Sequence, residues 1–99
     1  MNPAKVVRER VKTLTDLPNI GRAMAKDLHL LGINAPAQLK GRDPYALYGE
    51  LCIATGQRQD PCVLDTFISI TRFMGGDVAR PWWTYTVERK ATMQQRSDF

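Results

Sequence analysis

The stretch LPNIGRAMAKDLHLLGI, residues 17–33, decides how this chain is read. Its apolar pattern breaks at Pro18-Asn19-Ile20-Gly21 and resumes with helical spacing through Met24, Leu28 and Leu31. A break of this kind between two apolar-periodic runs is a bend joining helices. Gly21 has no Cβ, so an outside group can approach the backbone there. At the start of the second helix the N–H groups of Gly21, Arg22 and Ala23 have no partner further back, and the helix dipole favours an anion beside them. Arg22, Lys26 and His29 follow at i, i+4 and i+7, on one stripe leading away from that point, while Met24, Leu28 and Leu31 face the core. The competing reading is plainer: a tight connector, with Arg22, Lys26 and His29 as a solvated face.

Charge is spread unevenly along the chain. The 99 residues carry 14 basic and 10 acidic side chains, a net charge of +4. Residues 1–42 hold eight basic and three acidic groups, residues 43–79 two and five, and residues 80–99 four and two. The positive excess therefore lies in the part that contains the bend, which points to a polyanion partner such as nucleic acid. A 43% apolar and 24% charged composition is that of one ordinary globular domain. Two cysteines, Cys52 and Cys62, are too few for a disulfide scaffold. No run approaches the ~18 apolar residues of a membrane span, and nothing at the N-terminus reads as a signal peptide. The expectation is a reduced, cytoplasmic protein with no membrane partner.

Helix punctuation recurs along the sequence. Asn2-Pro3, Asp43-Pro44 and Asp60-Pro61 each place a capping side chain before a proline suited to the first helical position. Gly32, Gly41, Gly56 and Gly75 each follow an apolar-periodic run and suit a helix end. These signals predict five helices: 3–14, 21–31, 35–40 behind Asn34 as cap, Pro44–Thr55 and Pro61–Met74. The fifth is apolar nearly all round and belongs at the centre. No segment reads as a strand pair. The fold class expected is all-α, one five-helix domain over residues 1–90, with a polar, frayed C-terminal tail at 91–99.

The bend resembles the helix-hairpin-helix motif, and the domain would then be SAM-like. Leu17, Ile20, Gly21, Ala25 and Leu28 match the motif directly. Asn19 stands where the motif has its first glycine, and asparagine is the non-glycine residue that best tolerates positive φ. The resemblance implies a small binding module, not an enzyme, holding the backbone of double-stranded DNA through Asn19, Ile20, Gly21, Arg22, Ala23 and Lys26. Lys12, Lys40 and Arg42 would flank them. Backbone contacts position a duplex without reading bases, so binding would be sequence-independent and weakened by salt. The resemblance further implies that the carbonyls of Thr15, Leu17 and Ile20 could hold a monovalent cation, the one cofactor in view. Proteins with this motif often use two copies, so a homodimer is consistent with it.

Beyond the bend, Asp43-Pro44-Tyr45, Gly56-Gln57-Arg58, Asp60-Pro61-Cys62 and Pro81-Trp82-Trp83 resemble the small bacterial "pathogenicity locus" family, some members of which are called mitomycin-resistance proteins. That likeness spans about residues 14–90. The C-terminal domain of bacterial transformation regulators is similar around the bend. The alternative function is an adaptor that binds a protein partner in DNA repair or regulation, through the same surface or through Trp82 and Trp83.

Other residues carry weaker signals. Cys62 lies in the first turn of the fifth helix, which can lower a thiol pKa, but Asp60 opposes this. Cys52, Cys62 and His29 are the only soft metal ligands, without ligand spacing. Asp60 reads as a cap; Asp65 either faces solvent or pairs with a base, with Arg58 a candidate. Trp82 and Trp83 precede Arg89 and Lys90, so they either stack on bases or cover the end of the fifth helix, while Arg89 and Lys90 extend a basic surface.

Overall fold

A computed structural model describes residues 6–96. Among them the chain is all-helical: α1 Arg22–Leu30, α2 Pro44–Thr55, α3 Pro61–Met74 and α4 Thr86–Gln95, joined through 3-10 turns at Arg8–Arg10, Leu14–Asp16, Pro36–Leu39 and Trp82–Tyr85. The count of α-helices is thus four among the described residues, not five.

Helices α2 and α3 form where the punctuation places them. The carboxylate of Asp43 accepts the Tyr45 N–H at 2.9 Å, and that of Asp60 accepts the Cys62 N–H at 2.9 Å. A proline follows each cap, where no N–H is required. α2 ends at Gly56 in the left-handed conformation, φ 69°. At the end of α3 the left-handed residue is Gly76, φ 113°, one position after the glycine the pattern indicates; Gly75 stays helical.

α3 is the central element. Leu64, Phe67, Ile68 and Ile70 are fully buried, and α3 packs against α2, α4 and the turns at Pro36–Leu39 and Trp82–Tyr85. Each such side chain contributes roughly 1.5–3 kcal/mol of burial. Polar groups inside this helix are satisfied locally: Thr66 Oγ1 donates to the Cys62 carbonyl at 3.0 Å and Thr71 Oγ1 to that of Phe67 at 2.8 Å. Asp65, Ser69 and Arg72 recur at i, i+4 and i+7 and form a polar seam down one face.

The helix expected over 3–14 is absent from its described part. Residues 1–5 lie outside the described residues, Val7 and Val11 are extended, Arg8–Arg10 makes no more than a 3-10 turn, and Leu14 opens the next one. Two tertiary and local forces compete with helix here. Arg8 donates from Nε to the Phe73 carbonyl at 2.8 Å and from its guanidinium to the Asp77 carbonyl, and lies 4.7 Å from the Phe73 ring centroid. A cation held by the Phe73 carbonyl in the last turn of α3, and by the Asp77 carbonyl just beyond it, is a favourable use of that helix end. The Asp16 carboxylate meanwhile takes the N–H groups of Lys12 and Thr13 at 3.1 and 2.9 Å, which turns the chain at Thr13. The segment expected at 35–40 is a 3-10 turn, and Asn34 does not cap it: Gln38 accepts the N–H groups of Asn34 and Ala35. Residues 86–95, expected to be extension and tail, are α4; Ser97 to Phe99 lie outside the described residues.

Candidate nucleic-acid interface

The bend is anchored from below and open above. Leu17 and Ile20 are buried, and Asn19 adopts φ 67°, the one positive φ outside glycine among the described residues. Its carboxamide nitrogen donates to Ser69 Oγ at 2.9 Å and to the Arg80 carbonyl at 2.8 Å. Of the six residues the sequence assigns to the site, Asn19 is therefore turned inward by its side chain and Ile20 belongs to the core. Gly21, Arg22, Ala23 and Lys26 are exposed together.

Helix α1 starts without a side-chain cap, unlike α2 and α3. Its first backbone bond runs from the Ala25 N–H to the Gly21 carbonyl at 3.0 Å. No group among the described residues takes up the N–H of Gly21, Arg22 or Ala23. Gly21 has an ordinary φ of −101°, and a Cβ built there meets nothing within 4 Å. The fold itself does not require glycine at this position. Arg22 and Lys26 are exposed and form no ion pair with a described residue, and no acidic side chain sits in the first turn. His29 closes the stripe, its Nδ1 2.8 Å from Asn34 Oδ1. Lys12 and Lys40 are exposed; Arg42 is paired with Glu50 at 3.4 Å. Of the carbonyls considered for a cation, that of Leu17 receives the Ile20 N–H at 3.4 Å.

The polar seam of α3 ties this bend to the C-terminal half. Ser69 Oγ also donates to the Arg80 carbonyl at 3.2 Å, so the loop leading to Trp82 runs beside the bend. One turn away, fully buried Asp65 accepts Arg89 Nε at 2.9 Å and Thr86 Oγ1 at 2.7 Å. This corrects two expectations: the partner of Asp65 is Arg89, not Arg58, and Arg89 is committed to a largely buried ion pair while Lys90 alone stays exposed. Arg72 pairs with Glu88 through two hydrogen bonds. The polar i, i+4, i+7 positions in an otherwise apolar helix, with Glu88-Arg89 of complementary charge downstream, are the signal that could have located α4.

The remaining candidates are placed as follows. Burial, and then the Asp60 carboxylate, push the Cys62 thiol above its ordinary pKa, the opposite of an activated nucleophile. Cys52 Sγ accepts the Gln59 N–H at 3.4 Å. Among the described residues no three His, Cys, Asp or Glu side chains gather as a metal set. Trp82 is half-buried and meets Trp83 edge-on at 5.6 Å between centroids, while Trp83 is 59% exposed.

The protein is thus a small all-helical module whose α1 presents an uncapped, cation-flanked start to the outside. Comparison with known proteins places it more closely. It belongs to the family described as "Pathogenicity locus", whose model matches residues 7–91. It is similar to the Mitomycin resistance protein McrB of Streptomyces lavendulae, with 51% identity over 77 residues, 78% of this chain and 73% of that protein. No solved structure matches the chain. No described helix is long and apolar enough to cross a membrane.

Proposed function

We propose that this chain is a helix-hairpin-helix module that binds double-stranded DNA through the phosphate backbone, without base specificity, as a binding protein rather than an enzyme. In this reading the short 3-10 turn Leu14–Asp16 stands where the motif has its first helix, and the bend at 17–21 and α1 follow it. The observation that carries the reading is the set of unpartnered N–H groups at Gly21, Arg22 and Ala23, exposed beside Arg22 and Lys26. Amides at a helix start donate to phosphate oxygens, the dipole adds to the attraction, and two exposed cations neutralise neighbouring phosphates. A cytoplasmic place beside the chromosome follows from this reading, and a homodimer would supply a second bend. The test is a low-salt anisotropy titration of duplex DNA with the parent and with Arg22→Glu/Lys26→Glu. Loss of binding in the variant supports the proposal; equal affinity of the two proteins overturns it.

A second reading is an adaptor for a protein partner in DNA repair or regulation. It is favoured by Trp83 and Val87, 59% and 81% exposed at i and i+4. An apolar interface resists screening, so capture of a partner that persists in high salt and is lost in Trp83→Ala supports it.

A further inference from the structure

A recess of about 350 Å³ lies between α4 and the link from α2 to α3, lined by Arg58, Arg89, Lys90, Met93 and Gln94. No function above uses it. Two other recesses differ in kind. One is lined by three valines with Arg10 and Asp16, a cation and an anion together. The other has Arg42 and Arg72 in its lining, each already paired with a glutamate. In the α4 recess, Arg58 and Lys90 are exposed and form no ion pair with a described residue. The nearby carboxylates are engaged elsewhere: Asp65 lies buried under Arg89, and Asp60 holds the Cys62 N–H. The recess thus presents two cations without an acidic partner, Arg58 (hydrogen-bonded with Tyr48) and Lys90, together with Gln94 and Met93, a lining suited to a phosphate group rather than to a cation.

Its position relative to the bend follows from α3. Arg89, a wall of the recess, is held by Asp65; Asn19, the pivot of the bend, is held by Ser69. These two anchors are four residues apart on one face of α3, about 6 Å along its axis. The chain from Arg80 to Thr86 spans the gap between them. A DNA strand advances about 3.4 Å per nucleotide, so the spacing of the two anchors along α3 corresponds to about two nucleotides.

We infer that this recess is a second phosphate seat for the polynucleotide held at the bend, with Arg58 and Lys90 as its charge contacts and Gln94 as a donor. The inference rests on the DNA-binding reading for its ligand. It would add two charge contacts to the two exposed cations of the bend inside a single chain.

The experiment uses the full 15N-labelled chain, titrated first with inorganic pyrophosphate and then with a short DNA duplex at low salt. Amide shifts are expected at residue 58 and at 90–94 as well as at 21–23, saturating together with DNA. In parallel, Arg58→Gln/Lys90→Gln is expected to lower the slope of log affinity against log salt by about two, since each lost phosphate contact removes nearly one. Arg10→Gln, an exposed cation outside both sites, serves as the charge control and is expected to leave the slope unchanged. Shifts confined to 21–26, or an unchanged slope in the double variant, overturn the second seat and leave the bend standing. Shifts at 58 and 90–94 without any at 21–23 overturn the bend and leave the recess as an anion seat of its own. Shifts of equal size around Arg10 overturn both, because they mean diffuse attraction to any basic surface.

Discussion

Asn19 combines two roles that glycine would fill only in part. It accepts a left-handed backbone, and its carboxamide ties the bend to Ser69 and to the Arg80 carbonyl. Asn19→Gly keeps the backbone freedom and loses both bonds, leaving buried Ser69 with the Arg80 carbonyl as its acceptor but without the Asn19 donor. It should cost about 1–3 kcal/mol in urea unfolding, where a merely permissive role for Asn19 predicts no loss. Asp65 and Arg89 offer a second comparison. Arg89→Ala strands a fully buried carboxylate and should cost about 3–5 kcal/mol. Asp65→Ala should cost clearly less, because the Arg89 side chain, 13% exposed, can swing toward water. Equal costs in the two melts would mean that Asp65 is not the group whose burial needs the pair. Gly21, Arg22 and Lys26 were legible from the sequence because their geometry is local. The partners of Asn19 and Asp65 were not: Ser69 is 50 positions from Asn19, and Arg89 is 24 from Asp65.

Helix starts distinguish α1 from its neighbours. α2 and α3 carry aspartate caps, and α1 carries a glycine with no side chain to offer. Gly21→Asp should therefore act in opposite directions on stability and binding. A carboxylate at this cap complements the dipole and should add about 0.3–1 kcal/mol. The same carboxylate occupies the amides and repels phosphate, so DNA affinity should fall; a variant at least as stable as the parent that still binds equally well would count against the proposed seat. The caps also set a pH dependence. Backbone N–H groups of Thr13 and Lys12 hold Asp16 below its ordinary value of 3.8, and the Cys62 N–H does the same for Asp60. A depressed folded pKa means stability that is complete above the unfolded value and is lost as pH falls through the folded one. Unfolding midpoints should thus be flat from about pH 5 to 7 and decline below about pH 4, and Asp16→Asn/Asp60→Asn should flatten that decline. Helices whose caps lie next to them in sequence, α2 and α3, were legible. The helix expected at 3–14 was not formed, because Arg8 is drawn to the end of α3 and Asp16 turns the chain; α4 was missed because what holds it is the seam on α3.

Folding commits two of the cations in residues 1–42 to partners far along the chain or across a turn. Arg8 is bound to the carbonyls of Phe73 and Asp77 and Arg42 to Glu50, and of the exposed cations that remain, Arg22 and Lys26 lie on the helix that starts with the open amides. The C-terminal part adds Lys90 and, from the α2–α3 link, Arg58. With about three to five cations in contact, the slope of log affinity against log salt should lie near −3 to −4.5, and duplexes of unrelated sequence should share it. A slope near zero, or a strong preference for one sequence, would remove backbone contact as the basis of binding.

The all-helical class, the caps of α2 and α3, the centrality of α3 and the glycine corner with its cations were written in the chain, because each depends on residues within one or two turns of each other. Which cations remain free, what Asn19 and Asp65 hold, and whether residues 6–14 and 86–95 become helix were decided by packing. Those outcomes depend on charge and hydrogen-bond partners that only the folded molecule brings within reach.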